Sequence, residues 1–271
     1  MAIINRTPDS FFDRGATFAD AEALAAVDRA VAEGADIIDV GGVKAGPGDP
    51  VDTQEELRRT VAFVSQVRKA HPEVVISVDT WRAEVGRAVC EEGADLLNDA
   101  WEGHDPRLAE VAGEYGVGLV CTHAGGQVPR TRPHRVEYRD VVADIVATTR
   151  ALADRAVACG VPRESVIIDP GHDFGKTTPQ TLTATAATDQ LVATGWPVLM
   201  SLSRKDFVGE TLDITAPADR LLGTLAATAV TAWLGARVWR VHDVAATRQV
   251  LDMVSSIRGD RLPARAVRGR A

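Results

Sequence analysis

Asp169 closes the run Ser165-Val-Ile-Ile-Asp169, an apolar, β-branched segment too short for a helix and broken at once by Pro170 and Gly171. Such a run reads as a buried strand opening into a loop. A carboxylate at the last inward position of a buried strand is costly to desolvate and persists where a partner or ligand satisfies it. The plain alternative is that it caps the loop or the next helix. The same phrasing, an apolar strand ended by a polar residue and a loop, returns at Asn5, Asp39, Asp79, Asn98, His123, Ser201 and Arg240. Strand-end polar residues that converge on one mouth are how a (β/α)8 barrel builds a site. Many bases also follow predicted strands: Arg6, Arg14, Lys44, Arg130, Arg132, Lys176, Arg204 and Lys205. On a chain of net charge −8 they predict a positive mouth suited to a small anionic ligand, against the alternative of merely solvated loop charges.

The elements that must position these residues alternate. Predicted strands are Ala2 to Asn5, Asp36 to Val40, Val74 to Asp79, Gly93 to Asn98, Val117 to Cys121, Ser165 to Asp169, Pro197 to Met200 and Arg237 to Val241. Helices are expected over Asp20 to Glu33, Thr53 to Ala70, Arg82 to Glu91, Pro106 to Tyr115, Tyr138 to Cys159, Gln180 to Ala193, Ala218 to Leu234 and Val244 to Ile257. Gly34-Ala-Asp-Ile-Ile-Asp39 and Gly93-Ala-Asp-Leu-Leu-Asn98 repeat one unit of helix stop, strand and polar end. Eight strand-helix pairs with short returns make an α/β fold, a single (β/α)8 TIM barrel, the natural reading. The loop Gly41 to Pro50 is the most glycine- and proline-rich stretch and is expected to be mobile.

The 271 residues, 45% hydrophobic and 25% charged, suit one domain of barrel length. The barrel is placed at residues 1–258 and a basic tail at 259–271. Cys90, Cys121 and Cys159 are widely spaced without a CxxC and read as small apolar side chains. The acidic balance argues against nucleic-acid binding. No apolar run reaches the ~18 residues of a membrane span, and no basic-then-apolar leader precedes the first strand, so a cytoplasmic protein without a membrane partner is expected.

With the strand ends laid out, the chain resembles the dihydropteroate synthase family of pterin-binding barrels from Met1 to about Arg258. The matching pieces are Ile4-Asn-Arg-Thr-Pro-Asp-Ser-Phe11, Asp39-Val-Gly-Gly42, Ser77-Val-Asp-Thr80, Leu97-Asn-Asp99, Asp169-Pro-Gly171 with Phe174-Gly-Lys176, Ser203-Arg-Lys-Asp-Phe207 and Arg240-Val-His-Asp243. The family joins a dihydropterin-methyl pyrophosphate to p-aminobenzoate, expelling pyrophosphate with magnesium bound. The resemblance implies that Asp79, Asn98, Asp169 and Lys205 contact a pterin, the acids and amide meeting its donor edge and the ammonium its acceptors. It implies that Arg240 and His242 hold the pyrophosphate, that Asn5 contributes an oxygen to Mg2+, and that Ser203 and Phe174 face the aminobenzoate. It also implies a homodimer through the outer helices. Chemistry of this kind is positioning and leaving-group stabilisation and needs no nucleophilic side chain.

Three places depart from the family pattern. The loop after strand two usually carries a Ser-Thr-Arg-Pro-Gly run, yet here Ala45 stands for the threonine and Gly46 for the arginine in Val43-Lys-Ala-Gly-Pro-Gly48. Losing a charge-assisted phosphate contact and a hydroxyl contact costs roughly 1.5–3 and 0.5–1.5 kcal/mol; Lys44 restores a point charge without the fork. Asp173 and Ser201 replace glycines beside the expected pterin pocket, which predicts a narrower and more polar cavity. The leading expectation is therefore a homologue that keeps part of the pterin and anion site but lacks efficient synthase activity. An active synthase with a rebuilt loop is the alternative. A metal-dependent barrel hydrolase using His123, Asp169, His172 and His242 is the third, although the chain lacks the HxH such enzymes commonly carry after strand one.

Overall fold

The structure, a computed structural model, describes residues 1–7, 20–46, 48–131 and 137–268. Eight strands alternate with helices along the chain: β1 (Ala2–Asn5), α1 (Asp20–Ala32), β2 (Ile37–Gly41), α2 (Thr53–Ala70), β3 (Val75–Asp79), α3 (Ala83–Glu91), β4 (Leu96–Asp99), α4 (Arg107–Tyr115), β5 (Gly118–Thr122) and α5 (Val141–Ala158). The second half continues with β6 (Val166–Asp169), α6 (Thr178–Ala186), α7 (Thr188–Val192), β7 (Leu199–Met200), α8 (Asp206–Leu212), α9 (Leu221–Trp233), β8 (Val238–Trp239) and α10 (Val244–Arg258). Strands β1 to β6 pair in parallel and in chain order, and β7 pairs with β8. Two isolated parallel bridges, Ile168 with Val198 and Ala2 with Val241, join these sheets on both sides and close the ring. The backbone hydrogen bonds across the closures are Ile168 N–H to Pro197 O at 2.9 Å, Ile3 N–H to Val241 O at 3.0 Å and Val241 N–H to Met1 O at 2.9 Å.

Two elements differ from the sequence reading. The helix expected over Gln180 to Ala193 is divided at Ala187 into α6 and α7. The stretch expected as a loop after β7 forms α8, because Phe207 and Val208 supply an apolar face that is fully buried.

Alternation along the strands sorts the side chains into two environments. One set, including Ile38, Val40, Ile76, Val78, Leu97, Ile168, Val198 and Met200, packs outward against helix residues such as Val27, Phe63, Val64, Val89 and Ile145 in one large core. The alternate set points into the lumen. Low in the barrel it is apolar, with Met1, Leu96, Val120 and Leu199 buried against Ile37, Ile167 and Val238. Two residues further along β2, β4, β5, β6, β7 and β8 the same face carries Asp39, Asn98, Thr122, Asp169, Ser201 and Arg240, with Ser77 of β3 beside Asp39. The apolar plug thus excludes water from below, and the polar layer sits on it at the mouth.

Candidate active site

Register brings the polar layer together. Asp39 lies opposite Ser77, Asp79 opposite both Gly41 and Asn98, and Asp169 opposite Thr122. The Asp39 carboxylate is fully buried and accepts from Ser77 Oγ at 2.6 Å, from Asn98 Nδ2 at 3.3 Å to each oxygen and from Arg240 Nε at 2.5 Å. Arg240 reaches on with Nη2 to Asp79 Oδ2 at 2.9 Å. Burial drives the Asp79 pKa up to about 7 against the pull of Arg240, and the neighbouring acids Asp39, Glu56 and Asp99 push the same way.

Across the mouth, Asp169 accepts from Gly171 N–H at 2.7 Å and from Ser201 Oγ at 2.9 Å. Burial raises its pKa, opposed by Lys205. The Lys205 ammonium donates to His172 O at 2.5 Å and lies 4.8 Å from the Phe174 ring centroid. Its pKa falls through desolvation, with Asp173 and Asp169 holding it up. Ser203 pairs with His242 instead: its hydroxyl lies 2.9 Å from Nδ1 and accepts the His242 N–H at 3.2 Å. Asn5 ends β1 opposite Gly41, and a Cβ added at Gly41 would come within 3.9 Å of both Asn5 Oδ1 and Asp79 Cβ.

The loop after β6 is shaped by close approach. Gly171 at φ +65° and Gly175 at φ +59° let the backbone lie on the loop after β5, where an added Cβ would come within 1.9 Å of His123 O and 2.5 Å of Ala124 O. Asp173 between them holds φ +67° without being glycine. Its carboxylate accepts from Phe207 N–H at 3.2 Å, in the first turn of α8. Beneath this loop Lys176, 5% exposed, donates to Gly171 O and Phe174 O at 3.0 Å each and to His123 Nδ1 at 2.7 Å. Desolvation lowers its pKa to about 7.

Phe174 meets Trp101 edge-on at 5.0 Å between centroids, and Trp101 meets Trp81 in the same manner at 6.4 Å. Trp101 and Phe174 bound a cavity of about 480 Å³ whose other walls include Lys44, Ala45, Gly46, Gln127, Lys205 and Arg220. Asp79, Asn98, Asp169 and Arg240 do not line it. This cavity therefore lies on the Phe174 and Lys205 side, while the acids and amide are held by their own side-chain contacts and by Arg240. Trp81, Trp101 and Arg220 lie outside the set of strand-end residues to which the sequence points. The two tryptophans each stand two residues past Asp79 and Asp99, which end β3 and β4, and that placement was the available signal.

The positive mouth is smaller than the sequence suggests. Arg6 is buried and pairs with Asp20, Lys176 is consumed under its loop, and Arg204 is buried in a two-pronged pair with Asp243 at 2.8 Å per bond. Arg14 and Arg132 lie outside the described residues. Cys90 and Cys121 are buried as expected, and Cys159 is partly exposed. The four groups of the hydrolase reading are not brought to one point: His123 binds Asp144 at 2.8 Å, His172 binds Thr185 at 3.1 Å, and His242 binds Ser203. Among the described residues no group of three or more His, Cys, Asp or Glu side chains could hold a metal ion. The described side chains thus do not form a metal centre by themselves.

A lumen plugged by apolar side chains and read at its mouth by acids, an amide, an arginine and a lysine defines a barrel that recognises a small polar ligand. Residues 1–242 match the family of pterin binding enzymes, and the chain belongs to that family. It is 61% identical over 275 residues to the inactive dihydropteroate synthase 2 of Mycobacterium leprae, covering 100% of this chain and 94% of that protein. The protein of the same description from Mycobacterium tuberculosis is 60% identical, with 100% and 86% covered. Among solved structures, a Yersinia pestis dihydropteroate synthase in a sulfonamide drug complex superposes with a TM-score of 0.90 at 33% identity, covering 96% of this chain and 94% of that one.

Proposed function

We propose that this protein is a dihydropteroate synthase homologue that binds a pterin or a related anionic small molecule without efficient synthase activity. The observation that carries this is the self-satisfied mouth. Asp39, Asn98 and Asp79 are tied together by Arg240, and Asp169 is occupied by Ser201 and Gly171 N–H. A ligand must displace these contacts before it is read, and the loop that would then hold its pyrophosphate carries Ala45 and Gly46. The description of the Mycobacterium leprae and Mycobacterium tuberculosis relatives as inactive supports the same reading.

In this assignment Asp79, Asn98, Asp169 and Lys205 read the pterin, Arg240 and His242 take the anion, and Phe174 and Ser203 stand at the aminobenzoate end. Phe174 alone of the last two lines the cavity, so the aromatic wall of Trp101 and Phe174 is the better support for that end. A magnesium ion fits only as a partner of pyrophosphate oxygens, with Asn5 adding one ligand. An active synthase is the weaker reading, because nothing in the loop after β2 restores the missing guanidinium fork. Steady-state assay with the pterin pyrophosphate and p-aminobenzoate decides between them: turnover well below 1 per second is expected, and about 1 per second or more would return the protein to the ordinary enzymes.

The partnership proposed is a homodimer. Leu222, Val230 and Trp233 on α9 and Met253 and Ile257 on α10 are exposed large apolar side chains on two packed outer helices, a surface that pairing would cover. Light scattering should give twice the 28.8 kDa chain mass. No helix of the described residues is long and apolar enough to cross a membrane, and the acidic balance leaves nucleic acid an unsuitable partner, in keeping with the proposed cytoplasmic setting.

A further inference from the structure

We propose that Arg240 is an anion-operated latch on Asp79, so that an oxyanion at the mouth frees this carboxylate to receive the N–H edge of a second ligand. The proposal rests on the reading of the mouth as a pterin and anion site and adds how its two halves communicate. One guanidinium spans two acids, with Nε on Asp39 at 2.5 Å and Nη2 on Asp79 at 2.9 Å. The two acids are not equally dependent on it. Asp39 keeps Ser77 and Asn98 as donors when Arg240 leaves. For Asp79, Arg240 is the one hydrogen-bonding partner among the described residues.

The latch is therefore asymmetric. Drawing the guanidinium toward an anion leaves Asp39 satisfied and Asp79, a side chain 15% exposed, as a carboxyl group with no donor, which must either take up a proton or find a replacement. A heterocycle that offers paired N–H donors supplies it. The Arg240 side chain is 18% exposed, so it is reachable from the mouth. His242 shares its face two residues on, and together they form the receiving pair for an oxyanion. Phosphate oxygens compete well for a guanidinium through two parallel hydrogen bonds. Thermodynamic linkage makes the coupling reciprocal: whatever the anion does for the N–H ligand, that ligand does for the anion.

Calorimetry with hydroxymethylpterin and inorganic pyrophosphate tests this. Saturating pyrophosphate should tighten pterin binding by about tenfold, and Arg240→Ala should abolish the dependence. A second arm uses pyrophosphate alone, with the isosteric Asp79→Asn. Releasing the latch should tighten pyrophosphate binding several-fold when Arg240 is present and leave it unchanged in the Arg240→Ala background, whereas simple relief of charge repulsion would act in both. Pterin affinity indifferent to pyrophosphate, or an Asp79→Asn effect of equal size in both backgrounds, overturns the latch. Absence of pterin binding under either condition overturns the pterin reading itself, and the pyrophosphate arm still decides the latch.

Discussion

Replacing Lys176 by methionine keeps the length of the side chain and removes the ammonium that ties the loop after β6 to the end of β5. In the wild type the ammonium faces four acceptors: His123 Nδ1 at 2.7 Å, Gly171 O and Phe174 O at 3.0 Å, and His123 O at 3.3 Å. Burial outweighs the favourable charges of Asp169, Glu102 and Asp144 and lowers the pKa from 10.5 to about 7. Between those two values the unfolded chain holds a proton that the folded chain has released. Folding stability must then rise with pH across the window and level off at its ends. From about pH 6.5 to pH 9 this single group should add on the order of 2–3 kcal/mol to the wild type. The methionine variant has no such group, so the stability of the wild type relative to the variant should rise by that amount over the same range. Urea unfolding of both proteins at the two pH values measures it, and the comparison cancels the shared titrating groups that do not sense Lys176, which His123, Asp169 and His172 do. A gap constant to within about 0.5 kcal/mol would falsify the claim that Lys176 is held as a reluctant cation.

Other outcomes follow from the mouth. Ser201→Gly frees one oxygen of Asp169 from a 2.9 Å hydrogen bond, and titration of a pterin analogue should show about tenfold tighter binding; equal affinity would exclude Ser201 as an obstacle. Asp173→Gly relieves a left-handed residue at φ +67° but removes the acceptor for Phe207 N–H, two effects of about 1 kcal/mol with opposite sign, so the unfolding midpoint should hardly move. Gly46 is not in the left-handed region, and a Cβ there meets nothing closer than Lys44 Cε at 3.7 Å. The loop should therefore accept Gly46→Arg, with or without Ala45→Thr, and pyrophosphate affinity should rise about tenfold by calorimetry. Arg240→Ala should weaken binding of pyrophosphate or sulfate by about ten- to a hundredfold, with His242 keeping a residual affinity, and unchanged affinity would mean that the mouth is not an anion site.

The alternation of helix stop, strand and polar end was legible because hydrophobic period and glycine placement are local properties of the chain. Eight β-rich runs with a period of two inside α-helical spacing leave few architectures, and the two-residue step along each strand already orders apolar plug below polar mouth. Asp39, Asp79, Asn98, Asp169 and Arg240 were all recognisable as strand-end residues for that reason. The extra helix α8 was less so, since a seven-residue helix depends on its neighbours to exist, whereas β7 and β8 were expected and only their shortness, two residues each, was not. Set against the family pattern, the sequence also showed Ala45 and Gly46 where a hydroxyl and a guanidinium are expected, because the absence of a side chain needs no coordinates.

What the tertiary structure alone decided is who satisfies whom. Arg240 and Asp39 are 201 positions apart, and nothing local says that the arginine spends both its edges on acids. Lys176 looked like a mouth cation until the fold closed three carbonyls and an imidazole around it, and Arg204 until Asp243 took both its prongs. Sequence determines which side chains reach the mouth of this barrel, because strand period and capping act over a few residues. Their charge and availability are set by long-range packing, because desolvation and ion pairing depend on what the closed ring brings within a few ångströms.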